Sequence, residues 1–536
     1  MSRQDPAPSN TTHGKSPSSS TSPLVHHTNS NSNSNNSNSH NSHEHPSHSS
    51  SHHTGAGGLL TIHHEGESGR SGMHLRSFAY ILWRSSSQVS MLVNVLWPFV
   101  PAAIILHYLP GDHSATLDKW IFATAYVGMV PCANLLGFAG QELARKLPKV
   151  AGILIETALG SIVEIVLFMI LIAKHREAAD DDDDDTSAEE GNLIPVIQAA
   201  ILGSIVTNLL LCLGLCFFVG GLRQHTQTFH AVVSEVGSGL LLVAGFGLAI
   251  PSAFYSALKG ETTGHNFTRQ KLQDDVLQMS RATSVILMVA FAIYIFFNAR
   301  SQHGIFDEIL EADERQDADH AHDLAKEKLT FTECVVAIAA SLTLVTLLAV
   351  FLVERIEVIV RTGGVPDQFL GLILLPLVEK AAEHLTAVDE AWDGQMNFAL
   401  YHCLGPSIQT ALFNGPLVVV VGWILDKPMD LNFEIFMVAL LVLAILVVGN
   451  FLRDKESNYL EGALLVIVYI IIAIAAWYYP DPDVATSNEF DGIGAGAAAG
   501  AGASASASAI LAASNALKVQ IPSPSASSLL QLRVQG

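Results

Sequence analysis

Charge is what this 536-residue chain has little of: Asp, Glu, Lys and Arg make up 15% of it, against 49% apolar residues. A soluble domain carries nearer a quarter charged side chains, so most of this chain is not built for water. Cysteine is scarce too. The five residues, Cys132, Cys212, Cys216, Cys334 and Cys403, all fall in apolar runs, with no Cys/His spacing that would hold zinc. Cys212 and Cys216 share a helix face and read as small packing residues. The His-Glu-x-x-His, Gly-x-Ser-x-Gly and Walker patterns are missing. An intramembrane enzyme therefore has no motif to rest on, and no cofactor is implied. Acidic residues outnumber basic ones, 50 to 28, giving a net charge of −22, much of it in two soluble segments. That balance gives no ground for nucleic acid as a partner.

Long apolar runs are what the chain has instead. Eleven stretches of roughly 17 to 28 residues are each long enough to cross a bilayer as a helix. They are 91–110, 118–139, 150–173, 193–219, 229–250, 281–298, 331–353, 366–391, 397–424, 432–452 and 459–479. The fold class is an all-α polytopic membrane protein, with the lipid bilayer as its first partner. Residues 1–76 are rich in Ser, His and Asn and too poor in apolar side chains to offset the entropy of folding. They read as a disordered tail, and the low-complexity stretch 484–536 as a second. Between them lie a first transmembrane half (85–298), an acidic connection (299–330) and a second half (331–480). The first apolar run lies far from residue 1, so it reads as the insertion signal rather than a cleavable peptide.

Arg70, Arg76 and Arg84 precede the first span, and Arg145, Lys146 and Lys149 join the second and third. Both groups favour a cytosolic N-terminus. The connection between spans five and six carries Lys259, Arg269, Lys271 and Arg281, together with the sequon Asn266-Phe-Thr268, usable only on the other face. Eleven spans then put the C-terminus in a lumen or outside.

Two of the spans carry carboxylates well inside: Gly160-Ser-Ile-Val-Glu164 in the third and Glu379-Lys-Ala-Ala-Glu383-His384 in the eighth. An ionisable side chain in lipid costs a few kcal/mol, so it normally faces a watery or protein-lined path. The two spans are five apart and run in opposite directions. Spans 2–6 and 7–11 are therefore expected to be inverted-topology repeats, with span 1 as an extra helix and the substrate site where the repeats meet. The following helices read Gly203-Ser-Ile-Val-Thr207-Asn208 and Gly405-Pro-Ser407-Ile-Gln409-Thr. Both offer small residues for close approach, then hydroxyl and amide oxygens for a cation. Pro406 and Pro416 are expected to loosen span 9 and free carbonyls.

These residues resemble the cation/proton exchangers of the calcium/cation antiporter superfamily over essentially all of 85–480. The family pattern is Gly-Asn-x-x-Glu in both repeats, followed by Gly-Ser helices. Gly220-Gly-Leu-Arg223, Lys427-Pro-Met-Asp-Leu-Asn-Phe433 and the acidic segment from Phe306 to Lys328 are similar to it as well. The resemblance implies a sodium/calcium exchanger-like fold, with Glu164 and Glu383 binding cation and proton in turn and His384 beside them. Ser161, Lys380, Asn208, Ser407 and Gln409 complete the expected site. The chain departs from the family at Ser161 and Lys380, where the pattern has Asn, and at Glu379, where it has Gly. Glu156 also stands where Asn is usual, and Glu156 and Glu379 are expected to modulate the site. The second motif is most similar to a fungal vacuolar branch that exchanges Na⁺ or K⁺ rather than Ca²⁺.

Ca²⁺ prefers six to eight oxygens and several negative charges. A Lys380 amine beside Glu383, three residues along a helix, would fill one position and cancel one charge, which favours a monovalent ion. Glu156 and Glu379 weigh the other way, so Ca²⁺ stays open. A buried carboxylate prefers its proton and a bound cation displaces it, so the two compete. A proton pump, coupled only through the gradient, would keep the lumen acidic and drive cation into it. The Asp180–Asp185 run and the acidic connection read as solvated charge or as cation-concentrating mouths. A channel of the same architecture is the other reading, and homo-oligomerisation is open. The vacuolar membrane is implied by the resemblance alone.

Overall fold

The computed structural model describes residues 72–85, 87–109, 114–147, 149–175, 192–260, 268–301 and 327–480. The Ser/His/Asn-rich tail up to residue 71, the Asp180–Asp185 run, the sequon Asn266, the acidic residues 306–326 and the tail 484–536 lie outside the described residues.

Helix α1 (Leu75–Arg84) precedes α2 (Val89–His107), which contains a 3₁₀ turn at Asn94–Leu96. There follow α3 (Ala115–Ala144), α4 (Lys149–Gly160), α5 (Ile162–Lys174), α6 (Ile194–Arg223), α7 (Ala231–Leu258) and α8 (Arg269–Ser301). Next come α9 (Phe331–Gly363), α10 (367–379), α11 (Ala381–Asp393), α12 (Met396–Ile424), α13 (Ile435–Phe451) and α14 (Tyr459–Trp477). Nine of the described helices are long and apolar enough to cross a membrane.

The expected third and eighth spans are not continuous helices. The third divides at Ser161 (φ −94°, ψ 1°) and the eighth at Lys380 (φ −98°, ψ 0°). Both residues sit in the sparsely populated bridge region between helix and strand. The result is two short helices on either side of each break, α4/α5 and α10/α11. A second departure is α8, which starts at Arg269, so Arg269, Lys271 and Arg281 belong to a helix and not to a connection.

The ends of the helices follow from their cap residues. Thr330 and Glu333 form a reciprocal capping box at the start of α9, the Glu333 side chain accepting from the Thr330 amide at 2.9 Å. Glycines in the left-handed region, Gly364 (φ +67°) and Gly394 (φ +88°), stop α9 and α11. Widened π turns interrupt α6 at Thr207–Cys212, α10 at Leu370–Leu374 and α12 at Thr410–Asn414. Such turns often occur at functional sites.

Helices α3 and α9 pack along each other, and α6 crosses α10 where both are thinnest. A Cβ on Gly203 would overlap the Leu372 carbonyl, and one on Gly371 would lie 2.7 Å from the Val196 carbonyl. Only hydrogen at these two positions lets the backbones approach so closely. At one face, β1 (Gln227–Thr228) pairs antiparallel with β2 (Glu456–Ser457). Between α12 and α13 the chain is tied to the first half: Asp430 accepts from the Gln198 side-chain amide at 2.8 Å, and the Leu431 and Phe433 amides donate to the Ser280 and Ser252 hydroxyls.

Candidate functional site

The two interrupted helices meet at their breaks. Glu164 lies in the first turn of α5 and Glu383 in the first turn of α11. There, unpaired amides and the helix dipole favour negative charge. Glu164 is 1% exposed. Its carboxylate accepts from the Thr410 hydroxyl at 2.9 Å and from the Asn414 amide Nδ2 at 2.9 Å. Thr410 and Asn414 bound the π turn of α12, four residues apart and so on one face of it.

Lys380, fully buried, holds its Nζ 2.9 Å from Glu164 Oε2 and 3.5 Å from Glu383 Oε2. The shorter of the two ion pairs joins the two interrupted helices. The expected Lys380–Glu383 pairing is present but is the longer one, and it arises at a break rather than along a continuous helix. Gly160 makes room for the second acid, since a Cβ there would lie 3.0 Å from Glu383 Oε1. Glu379 is 3% exposed and neither of its oxygens has a hydrogen-bond donor. Two carboxylates thus pair with one ammonium, with a third buried acid on the adjoining residue.

The remaining expected residues divide. Ser161 is the break residue of the first interrupted helix. With Gln409, Glu379 and Glu383 it lines a cavity of about 90 Å³ that also borders Glu156 and His402. His384 and Asn208 bond each other at 2.9 Å. Both are buried; Asn208 Oδ1 is taken up by His384 Nε2, while Asn208 Nδ2 has no hydrogen-bond partner. Ser407 donates to the Cys403 carbonyl one turn back at 2.9 Å and is spent within its own helix.

Thr410 and Asn414, the direct donors to Glu164, are not among the expected site residues. Their only sequence signal is a pair of polar residues four apart in an apolar run. The cysteines are packed as read, with Cys403 joining the other two: its Sγ lies 3.4 Å from Cys212 and 3.8 Å from Cys216.

A sodium/calcium exchanger protein family model matches residues 118–300 and 334–478. A vacuolar cation/proton exchanger 2 from Oryza sativa subsp. japonica is 32% identical over 73% of this chain and 82% of its own length. A vacuolar calcium ion transporter from Cryptococcus neoformans is 28% identical over 73% of this chain and 74% of its own. Among solved structures, native YfkE is similar in fold, with a TM-score of 0.56, 23% identity, and coverage of 72% of this chain and all of that one. The matched residues run from α3 to α14 and hold both interrupted helices, and on that ground the chain belongs to the sodium/calcium exchanger protein family.

Proposed function

We propose that this protein is a cation/proton antiporter of a vacuolar membrane, moving cytosolic cation into an acidic lumen in exchange for protons. The observation that carries this reading is the Lys380 ammonium held between Glu164 and Glu383 at the ends of two broken helices. A cationic side chain already occupies the place where a cation would be bound, so the site is built to have positive charge delivered to it and removed. Discontinuous helices whose termini face an ion are the common construction of secondary transporters. On this reading residues 115–301 and 331–477 are inverted repeats, and α2 is the extra helix.

Glu164 and Glu383 take cation and proton by turns, because each neutralises the same carboxylates. Thr410 and Asn414 hold Glu164 in place through both states. With Lys380 charged, Glu164 and Glu383 leave one net negative charge, which matches a monovalent ion and supports exchange of Na⁺ or K⁺. Ionised Glu379 would raise the deficit to two, which matches Ca²⁺. The name of the Cryptococcus relative, a vacuolar calcium ion transporter, favours that second reading.

The test is reconstitution in vesicles with a pH-sensitive dye inside, an acidic interior, and Na⁺, K⁺ or Ca²⁺ added outside. Alkalinisation by Na⁺ or K⁺ alone supports the monovalent exchanger, and by Ca²⁺ alone the calcium exchanger. Silence with all three, in protein that still binds its cation, would remove antiport.

A further inference from the structure

The cavity beside Glu383 also borders a cluster that the core site does not use. His402 on α12 places Nδ1 2.8 Å from Glu390 Oε2 on α11 and Nε2 3.9 Å from Glu156 Oε1 on α4. His402 and Glu390 are mostly buried, while the Glu156 side chain is 35% exposed, so the group opens to the protein surface on that side. His402 and Gln409 stand two turns apart on α12, which puts them on one face, and both line the cavity that ends on Glu379 and Glu383.

Each neighbouring element adds something to this spot. Glu156 comes from α4, Glu390 and further in Glu383 from α11, and the Cys216 thiol from α6. The Tyr401 ring meets the imidazole nearly edge-on, and α3 contributes Asn134 and Gln141, which do not titrate. No basic side chain stands at ion-pair distance from Glu390 or Glu156 among the described residues except His402.

That arrangement has two self-consistent states. A doubly protonated ring donates Nδ1–H to Glu390 at 2.8 Å and sets a positive charge 3.9 Å from the Glu156 carboxylate. A neutral ring leaves one nitrogen without a proton to share and two carboxylates without a counter-charge, at the side of a water-sized cavity. Glu379, buried on the same cavity and without a donor, would deepen the deficit only when ionised.

We propose that His402, with Glu390 and Glu156, forms a second proton-binding station on the ion path, at which an imidazolium proton and an incoming metal cation exclude one another. The proposal rests on the antiporter reading and adds a step to it. The cation displaces a proton at the vestibule before it meets Lys380, so occupancy of the path is set by pH on that side as well as at the core acids. Histidine suits this place because its ring can carry either one proton or two.

The experiment compares parent, His402→Gln, Glu390→Gln and Glu383→Gln as full-length protein. In vesicles, the apparent KM for each of Na⁺, K⁺ and Ca²⁺ is measured against external pH. Every proton that competes with the cation adds one to the limiting slope of log KM against pH, so H402Q and E390Q should lower the slope by about one. In weakly buffered detergent solution, adding the same salts should release fewer protons from H402Q than from parent, by about one per chain at most. That second reading serves even if a variant no longer transports. E383Q should lose exchange yet keep the His402-dependent release. A parental slope in a transporting H402Q, or parental proton release from it, overturns the station while leaving antiport intact. No cation-dependent proton movement in the parent overturns the antiporter reading, and the station with it.

Discussion

Lys380 and Glu164 form a fully buried ion pair, Nζ to Oε2 at 2.9 Å, although each stands on a different interrupted helix. Lys380 is itself the residue at which its helix breaks. Its own amide and carbonyl keep bonds to the Pro376 carbonyl and the His384 amide, and the side chain reaches across to the first turn of the opposite half-helix. A buried pair of this kind stabilises little on balance, but removing one member leaves an unpaired charge and costs about 3–5 kcal/mol.

Replacing Lys380 by Asn restores the residue type expected at this position of the motif and removes the resident positive charge. The expected outcome is a shift of preference toward Ca²⁺ over Na⁺ and K⁺ in the dye assay, together with tighter Ca²⁺ binding. If K380N keeps the parental order of ions, the ammonium does not set ion choice.

Glu164→Gln and Glu383→Gln each remove a charge that, on the proposed function, cation and proton share. Exchange should fall by at least about tenfold, the factor carried by every 1.4 kcal/mol of lost interaction, and E164Q should also lose thermal stability because Lys380 is stranded. Parental flux in either variant would take that acid out of the mechanism.

Thr410→Val and Asn414→Leu test the donors to Glu164. Hydrogen bonds to a charged group contribute about 1.5–3 kcal/mol, so each variant should weaken cation binding by roughly 10- to 100-fold. Ser407→Ala should do far less, because the Ser407 hydroxyl is bonded to its own helix. Equal losses in all three would argue against the assignment of Thr410 and Asn414.

Two glycines at corresponding places should behave differently. Gly203→Ala puts a methyl group onto the Leu372 backbone and is expected to impair assembly, on the order of the 1–3 kcal/mol seen for overpacking. Gly405→Ala meets nothing within 4 Å and should be tolerated. Size-exclusion profiles and melting temperatures of the two variants would decide the point.

Asp430, in the connection between α12 and α13, has its carboxyl pushed up to about 6 by burial, against the opposing bonds from the Asn432 amide and Gln198. The folded protein therefore binds this proton more tightly than the unfolded chain does. Stability should be highest below the unfolded value and fall as pH rises toward about 6, by up to about 3 kcal/mol. Asp430→Asn keeps the acceptor oxygen and removes the titration. Melting curves of parent and D430N should converge at acidic pH and separate above it; parallel curves would refute the assignment.

Hydropathy made most of this molecule readable. Nine expected spans appear as long helices, and the two spans with internal acids hold the core of the candidate site. What the residues did not reveal is the break at each of those spans. Ser161 sits in an apolar run, and Lys380 gives no backbone signal of its own. The role of Lys380 was half visible, since helical spacing pointed to Glu383 while the closer partner is Glu164. Thr410 and Asn414 were missed because a π turn leaves no mark in hydropathy. His402 and Glu390 were missed because their meeting depends on how α11 and α12 pack. Asn208 and His384 were read as site residues by type, and the fold gives them to each other.

The half-helices also bear on how the protein is made. At 1.5 Å per residue, the 13 residues of α11 cover only about 20 Å of a hydrocarbon layer about 30 Å thick. The segment from Glu379 to Glu390 carries several charged side chains, each costing about 2.5–3.5 kcal/mol at mid-membrane on translocon scales. Such a segment gains little by leaving the translocon unaided. Its entry into lipid is favourable once the first half, with Glu164 in place, offers Lys380 a partner. The Lys380–Glu164 contact thus couples insertion of the second half to the presence of the first.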